Sequence, residues 1–542
     1  MSKTVYYNGD IVTVNRDNQV AGGLLVEDGK IAAVGSQEEI LALADRDTVK
    51  IDLEGRALLP GFIDPHSHIA MVSQAMLYLD LSGCGSISQL LDLLRTRLRD
   101  GLVKPGEWII GSGYDNTRFP GQQHPTKFDL DSVTAEVPIF LSHTSGHLAA
   151  VNSAALQRLG YVGQDYAVPA GGVVRTVSPD SREPNGILEE NACLAPEKKR
   201  LIPAPTLETL LDALERAQDV YAGYGITTAQ DASVDKAVHQ TLLAAASAGK
   251  LKLDIVGQAV QSVTFDLLQN EGTPRREYRG HYKLLGGKTW LDGSPQGKTA
   301  WLTQPYFQPP EGQGPDYRGY GTQTDQAVTA YFRGCIARNL QVNVHANGDA
   351  AADQMIRCYR KALELEGPHP GLRPVMVHAQ TVREDQLDEM KALGILPTFF
   401  LDHIWFWGDY HYESVLGPQR ACRISPAGSA RDRGISFTLH QDAPVKMPDQ
   451  ILAIHNAVNR RTQKGRVLGE DQRLSVEEAL RAVTINGAYQ YFEEDQKGSL
   501  EPGKLADLVI LDRSPLKTAP EQLKDIQVLE TIKEGRTIYQ KE

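Results

Sequence analysis

Four histidines and an aspartate occupy positions from which their side chains could bind a metal ion. His66 and His68 follow the apolar run "LLPGFIDP", and His345, His378 and Asp442 each close a later apolar run. Alternate residues of a strand point the same way, so the His66-x-His68 spacing can aim both imidazoles inward. Neutral imidazole and carboxylate suit zinc or a similar divalent ion. A lone histidine is more often structural, but five such residues at strand ends together indicate a metal centre.

Eight apolar runs, most of them separated by helical patterns, would position these residues. The strand candidates are residues 57–66, 225–231, 252–259, 284–292, 340–345, 373–378, 394–400 and 435–442. Apolar spacing of 3.6 residues predicts helices at 206–222, 235–249, 323–339, 351–366 and 383–392, with a closing helix at 475–492. This alternation predicts the α/β class and a (β/α)8 TIM-like barrel, in which the strands end at one mouth.

The two ends of the chain have a different pattern, with short strands joined by tight Asn-Gly, Asp-Gly and Glu-Gly turns. Neither end has enough strands for a stable sheet of its own. We therefore expect residues 1–57 and 498–542 to form one small β-sandwich domain, with the barrel at 58–497. About 150 residues separate the first two barrel strands, far beyond a normal connection, which predicts a large inserted subdomain at about 72–205.

Composition excludes several classes of function. The formal charge of −12 is spread without acidic or basic blocks, which argues against nucleic acid or an anionic membrane as partner. The five cysteines form no CxxC pair, no run of about 18 apolar residues occurs, and no phosphate-binding glycine motif is present. We expect a cytoplasmic protein that acts on a small molecule without ATP or NAD.

The motifs together carry a resemblance to a known family. "PGFIDPHSH", "VNVHANGD", "VMVHAQ", "LHQDAPV" and "GSLEPGKLADLVILD" resemble the amidohydrolase superfamily of metal-dependent hydrolases, closest to its branch of N-substituted formamide deformylases. The resemblance covers nearly the whole chain, including "SGHLAAVNSAAL" and "GGKTWLDGSPQGKTA". It implies one or two divalent ions, with zinc expected. One ion would be held by His66, His68 and Asp442, and the other by His345 and His378.

The resemblance also implies a carboxylated lysine that bridges the two metals, and Lys288 in "GGKTWLDG" matches that position best. A lysine ammonium has no acceptor and cannot bind a metal, whereas addition of carbon dioxide gives an anionic oxygen ligand. The alternative is an ordinary Lys288 paired with Asp292. Lys283, at the start of the strand, and Lys298, in the following loop, are the next candidates.

The reaction that the resemblance implies is hydrolysis of a non-peptide carbon–nitrogen bond, such as that of an N-substituted formamide. A metal-activated hydroxide would attack the carbonyl carbon, and Asp442 would act as base and then as acid. His143 or His147 in "SHTSGH" could stabilise the oxyanion or orient the substrate. The alternative for this pair is a structural loop with histidine caps.

Further residues are candidates for substrate contact. The aromatic-rich stretch "FFLDHIWFWGDYHYE" follows the seventh strand, and a loop there could place His403, Trp405 and Trp407 as a wall for an aryl or alkyl group. Docking of the loop, or a subunit interface, would explain these aromatic residues equally well. Tyr114, in the insertion, has a structural alternative, and Asn347 stands where many relatives carry an aliphatic residue.

Two other functions stay open from sequence. The same site could act on an ester, a lactone, a cyclic amide or a deaminable ring. A catalytically idle regulator that uses the barrel to bind a ligand is the alternative of another class, although a complete ligand set weighs against it. The sequence does not fix the oligomeric state, and a homodimer, common in this fold group, is the assembly to test.

Overall fold

The computed structural model describes residues 3–104, 106–144, 148–202, 205–269, 273, 275–310 and 312–542. These residues fall into two compact units. One contains the residues up to 69 together with 218–542, and the other contains residues 70–217.

The first unit contains a sheet of eight parallel strands. In chain order these are β1 Phe62–Ile63, β2 Ile226–Val234, β3 Asp254–Val260, β4 Tyr282–Trp290, β5 Gln341–Ala346, β6 Val375–His378, β7 Leu396–Phe399 and β8 Thr438–Leu439. Each strand pairs with the next in that order. Beyond the strands, the backbone N–H of His68 donates to the carbonyl of Ala443 at 2.9 Å, which joins the two ends of the sheet. The fold is therefore TIM-barrel-like, as the sequence predicts.

Helices follow most of these strands. Between β2 and β8 the unit contains Lys236–Ser247, Thr264–Leu268, Asp325–Ala337, Asp349–Glu366, Glu384–Leu393, Asp402–Tyr410, Gly417–Ala421 and Ala427–Asp432. Gln37–Ala42 precedes β1, Leu207–Gly223 precedes β2, and Gln450–Asn459, Val476–Ala482 and Ile485–Gln490 follow β8. In Asp325–Ala337 the Thr324 side chain caps the first turn, and Val328, Phe332 and Ile336 are buried at four-residue spacing. That spacing gives one apolar face, which packs on the barrel.

The first predicted strand, 57–66, is in fact two. Ala57–Pro60 belongs to the sheet built from the chain ends, and only Phe62–Ile63 belongs to the barrel. Gly61 lies between them, and a Cβ atom there would lie 2.4 Å from the Cγ2 atom of Thr227. Only glycine fits this close approach to β2.

Strands from both ends of the chain share one eight-stranded sheet. It consists of Lys3–Val12, Val20–Glu27, Lys30–Gly35, Val49–Asp52, Ala57–Pro60, Leu508–Leu511, Val528–Lys533 and Arg536–Gln540. The N-terminal and C-terminal parts join where Leu58 pairs with Ile510. A sandwich of two sheets stays a prediction.

A buried cluster of charges ties this sheet to the start of β3. The Lys533 ammonium lies 2.9 Å from a carboxylate oxygen of Asp254 and 3.0 Å from one of Asp507, and Lys497 also contacts Asp254. Burial alone would raise the pKa of Asp254, but Lys497 and Lys533 hold it well below its usual value.

The second unit has a six-stranded sheet and contains the whole of the predicted insertion. Its strands are Tyr78–Asp80, Ile109–Tyr114, Ile139–His143, Leu148–Val151, Gly172–Thr176 and Pro184–Glu190. Its helices include Ile87–Arg99, Lys127–Asp131 and Ser153–Leu159. Across the described parts of both units, no helix combines the length and apolarity needed to cross a membrane.

Candidate metal centre

Six side chains meet at the carboxyl ends of the barrel strands. Parallel strands of a barrel present these ends at one rim, where active sites of this fold lie. Residues from β1, β4, β5, β6 and β8, or from the positions that directly follow them, converge there. They are His66, His68, Lys288, His345, His378 and Asp442.

Asp442 lies at the centre of the group. Its Oδ1 atom is 3.3 Å from Nε2 of His66 and 3.2 Å from Nε2 of His68, and its Oδ2 atom is 3.9 Å from Nε2 of His378. The carboxylate of Asp442 thus faces three imidazole nitrogens.

Lys288 reaches the same group from β4. Its amine nitrogen is 3.3 Å from Nε2 of His66, and the side chain is fully buried. Burial lowers the pKa of Lys288 to about 7, against the opposite effect of Asp442. No ion pair joins it to Asp292, both residues being within the described ranges, so the geometry does not favour that alternative.

The other two candidate lysines have partners elsewhere. Lys283 forms a buried ion pair with Glu493. The Lys298 amine donates to the Ser414 hydroxyl at 2.9 Å.

His345 and His378 form the second half of the group, with ring centroids 4.7 Å apart. Nδ1 of His345 lies 3.2 Å from the carboxylate of Asp292, which also accepts hydrogen bonds from the backbone N–H groups of Trp301, Asn347 and Gly348. The Asn347 amide nitrogen lies 3.3 Å from Nε2 of His345. Asn347 thus contacts a predicted metal ligand directly.

A hydrogen bond fixes the orientation of His66. Its Nδ1 lies 2.9 Å from the amide oxygen of Gln230, on β2. An amide oxygen only accepts, so the proton of the imidazole is on Nδ1 and the lone pair of Nε2 points at Asp442. Burial, and then the neighbouring Lys288, lower the pKa of His66 to about 3, which keeps the ring neutral.

This arrangement fits a divalent cation. A lone pair of His66 faces a carboxylate oxygen that is buried and receives no protein hydrogen bond within the described residues. Two such acceptors repel each other unless a proton or a cation lies between them. Neutral imidazoles and one carboxylate are the donor set that zinc and similar ions prefer. His66, His378 and Asp442 each offer a ligand atom within 4.8 Å of the others.

The backbone is also unusual at two of these residues. His378 has φ 72° and Asp442 has φ 58°, in the left-handed region that non-glycine residues rarely adopt. Such conformations persist where the surrounding structure holds them, and they cluster at functional sites.

The aromatic-rich stretch after β7 is a helix rather than the expected loop. Asp402–Tyr410 is α-helical and continues into a π-helical turn at His411–Val415. Its buried residues are the successive Asp402, His403 and Ile404 in the first turn and Gly408 one turn after Ile404.

The helix separates the three predicted contact residues. The ring of Trp407 packs on Phe400, which lies beside His378 with ring centroids 6.4 Å apart. His403 is buried against Phe400, and its Nδ1 lies 3.0 Å from the Gln380 amide nitrogen. Trp405 instead packs on His455 and lies under the Lys524 ammonium. That is the docking contact that the alternative expected, so the structure does not bring Trp405 to the candidate metal centre.

The candidates from the insertion lie together in the second unit. The Tyr114 hydroxyl is 3.1 Å from Nδ1 of His124, and the Tyr114 and His143 rings pack with centroids 5.0 Å apart. Nε2 of His143 lies 3.0 Å from the Asn116 amide oxygen. His147 is outside the described residues. The roles of Tyr114, His143 and His147 stay predictions.

Sequence reasoning missed the role of three residues that support the ligands. Gln230 orients His66, Asp292 contacts His345, and His440 packs against both His66 and His378 with ring centroids 5.1 Å from each. The His440-x-Asp442 spacing repeats the alternation of His66-x-His68, so this pattern could have identified His440. No comparable sequence pattern marks Gln230.

The barrel and its cluster of histidines, aspartate and lysine are those of a metal-dependent hydrolase. The model of the amidohydrolase family matches residues 50–539. The chain belongs to this family, and it is a hydrolase that acts on carbon–nitrogen bonds, with a divalent metal as its cofactor.

Relatives match along nearly the full length. The chain is 27% identical to the N-substituted formamide deformylase of Arthrobacter pascens, with 100% of this chain and 99% of that protein covered. It is also 27% identical to protein LONG AFTER FAR-RED 3 of Arabidopsis thaliana, over 98% of this chain and 91% of that one. Among solved structures, an uncharacterised metal-dependent hydrolase from Pyrococcus furiosus is similar with a TM-score of 0.73 and 25% identity, covering 95% of this chain and 100% of that one.

Proposed function

We propose that this protein hydrolyses a small, non-peptide amide, and that N-substituted formamides are the first substrate class to test. The observation that carries the proposal is the carboxylate of Asp442, whose buried Oδ1 faces the nitrogens of His66 and His68 without a protein donor. The relative named as a formamide deformylase supports the choice of substrate class.

His66, His68, His345, His378 and Asp442 would hold the metal, which we propose to be one or two zinc ions. A divalent ion bound there would polarise the amide carbonyl and lower the pKa of a water molecule. Oδ1 of Asp442 faces the imidazoles of His66 and His68, and Oδ2, 3.9 Å from Nε2 of His378, would hold a proton. Asp442 would take a proton from the attacking water and give it to the departing nitrogen.

Lys288 would complete the ligand set as a carbamate. Carbon dioxide reacts with an uncharged amine. Lys288 is fully buried beside His66 and has a pKa of about 7, so a large fraction of its side chain is uncharged near neutral pH. The amine nitrogen forms a bond to the carbon of carbon dioxide and loses one proton, which leaves an anionic carboxylate on the side chain. An oxygen ligand with a full negative charge then offsets part of the charge of the cations.

The substrate would place its nitrogen substituent against the aromatic rings beside His378. Phe400 and Trp407 form this wall, and the Lys446 ammonium lies 5.2 Å from the centroid of Trp407. Flat aromatic faces favour an aryl group over a short alkyl chain. His403 and Asn347 would frame the same space, while His143 and His147 stay the proposed oxyanion or orienting groups. Tyr114 stays a proposed substrate contact.

A matched panel of substrates tests the proposal with the zinc-loaded full-length protein. An N-aryl-substituted formamide, the corresponding formate ester, a lactone, a cyclic amide and a deaminable ring are compared, with formate, amine, ammonia and ring-opened acid measured. We expect equal amounts of formate and amine from the formamide and the highest kcat/KM for it. Faster turnover of the ester, lactone, cyclic amide or ring would assign the site to that bond instead.

The idle-regulator alternative predicts binding without turnover. The complete set of candidate ligands argues against it, and a metal-loaded protein that turns over none of the panel would favour it. We also propose a cytoplasmic homodimer, which light scattering of the purified protein tests; all five cysteines are unpaired, which suits that compartment.

A further inference from the structure

His440 is a buried histidine that the proposed reaction does not use. It directly follows β8, its side chain has no exposed surface, and its backbone N–H donates to the Phe399 carbonyl at 3.1 Å. Its ring lies 5.1 Å from those of both His66 and His378, measured between centroids. His440 therefore contacts two candidate ligands, His66 and His378, through its ring.

Each nitrogen of His440 has one partner. Nε2 lies 3.1 Å from Nδ1 of His378, and Nδ1 lies 3.0 Å from the Thr398 hydroxyl oxygen. The three side chains come from β6, β7 and the residue after β8, which are neighbours in the sheet. They form one hydrogen-bonded row that starts at a predicted metal ligand and ends in the wall of the barrel.

The direction of this row decides whether His378 can bind a metal. A neutral imidazole has one N–H and one lone pair, and the lone pair binds the metal. If His440 accepts at Nε2, the proton of His378 is on Nδ1, and the Nε2 lone pair of His378 is directed at Asp442. If His440 donates from Nε2, the proton of His378 moves to Nε2, and no lone pair faces the metal site.

Thr398 can complete the row in the direction that metal binding requires. Its hydroxyl oxygen can accept the Nδ1–H of His440, which leaves Nε2 of His440 as the acceptor that His378 needs. We infer that His440, held by Thr398, is a positioning residue that fixes the tautomer of His378 for metal binding. The inference rests on the proposed metal centre. In this arrangement the imidazole of His440 accepts from His378, just as the amide oxygen of Gln230 accepts from His66.

Four variants of the full-length chain test this inference. His440→Leu removes the acceptor at similar size, and His440→Gln replaces it with an amide oxygen near the position of Nε2. Thr398→Val removes the acceptor for His440, and Thr398→Ser keeps it. The affinity of the metal-free proteins for Co²⁺ is measured by competition with a chromogenic chelator, and the visible spectrum of bound Co²⁺ is recorded.

We expect His440→Leu to weaken Co²⁺ binding by about 10- to 100-fold, the usual effect of removing such a partner. His440→Gln should retain affinity within about threefold of wild type, since it supplies an acceptor. Thr398→Val should weaken binding by about fivefold, and Thr398→Ser should bind as wild type does. The Co²⁺ spectrum should change in the Leu and Val variants only.

Three results would overturn the inference. One is wild-type Co²⁺ affinity in His440→Leu. Another is a loss in His440→Gln as large as in His440→Leu, which would show that the imidazole itself is required. The third is equal Co²⁺ affinity of Thr398→Val and Thr398→Ser, which would contradict the proposed role of Thr398. If His440→Leu does not fold, the comparison of these two Thr398 variants tests the inference. Failure of the wild-type protein to bind Co²⁺ would instead contradict the proposed metal centre.

Discussion

Replacement of Asp442 with asparagine tests whether its carboxylate is held in place for a cation. In the wild-type chain, Oδ1 lies 3.3 and 3.2 Å from the Nε2 atoms of His66 and His68, and Gln230 directs the lone pair of His66 towards it. An amide nitrogen at that position can donate to these imidazoles, so a repulsive contact becomes a hydrogen bond. One such bond contributes about 1 kcal/mol. We therefore expect metal-free D442N to be more stable than the metal-free wild type by about 1–2 kcal/mol.

Metal should reverse this order. A ligand present at about 1,000 times its Kd stabilises the folded state by about 4.1 kcal/mol, and the wild-type chain should gain this from zinc. D442N lacks the anionic ligand and should gain little. Its turnover should fall by at least about 10²- to 10⁴-fold, because the proton carrier is lost as well.

Urea unfolding of the metal-free and zinc-loaded proteins measures both effects, and D292N is the matched control. Asp292 accepts three backbone hydrogen bonds, so an amide nitrogen there would face N–H groups and destabilise the metal-free protein by about 1–3 kcal/mol. The reasoning is refuted if metal-free D442N loses as much stability as D292N. It is also refuted if zinc stabilises D442N as much as the wild type.

Three other predictions concern residues outside that contact. Lys288→Met should abolish stoichiometric zinc binding, whereas Lys298→Met should retain it, as measured by metal analysis after gel filtration. The reverse result would identify Lys298 as the bridging lysine. Gly61→Ala should lower the thermal unfolding midpoint, because its Cβ would lie 2.4 Å from Thr227, and addition of Thr227→Ala should restore part of the loss; an unchanged midpoint in Gly61→Ala would contradict the close approach. The pKa of Asp254 is held below its usual value by two buried ammonium groups, so its contribution to the free energy of unfolding should be complete above about pH 4–5 and be lost as the pH falls further. Asp254→Asn should remove this acid-side loss in unfolding curves between pH 3 and 7, and an unaltered pH profile would refute it.

The barrel was predictable because parallel strands leave a strong pattern. Strands buried on both faces are nearly continuous apolar runs, and helices with one apolar face separate most of them. β2, β4 and β5 therefore lie where the sequence predicts them. The His66-x-His68 pair was predictable for the same reason, since its spacing follows directly from the geometry of a strand.

The division of the first strand was not predictable from apolarity alone. Residues 57–60 and 62–63 are equally buried, but they pair with different partners, Leu508–Leu511 in one sheet and β2 in the other. Pairing partners are distant in the chain, and a run of apolar residues does not identify them. The helix at Asp402–Tyr410 is not predictable from apolar spacing, because its buried residues are three successive positions and Gly408 and do not follow a 3.6-residue pattern.

The supporting residues of the site were the least predictable part. Gln230 and Asp292 act through contacts with residues 164 and 53 positions away in the chain, and neither belongs to a motif that metal chemistry demands. Trp405 and Trp407 lie close in sequence, and the sequence alone therefore predicts them on one wall, yet residues two positions apart in a helix point to different sides. Tertiary contacts separate such residues, and only the structure shows them.

Anomalous diffraction at the zinc edge, from crystals grown near neutral pH, tests the central claim most directly. The account predicts a strong anomalous peak about 2.0–2.2 Å from Nε2 of His66, Nε2 of His68 and a carboxylate oxygen of Asp442, with extra density extending from the amine of Lys288. The account is contradicted if zinc-soaked crystals show no peak there and His66 and His68 hydrogen-bond directly to protein groups.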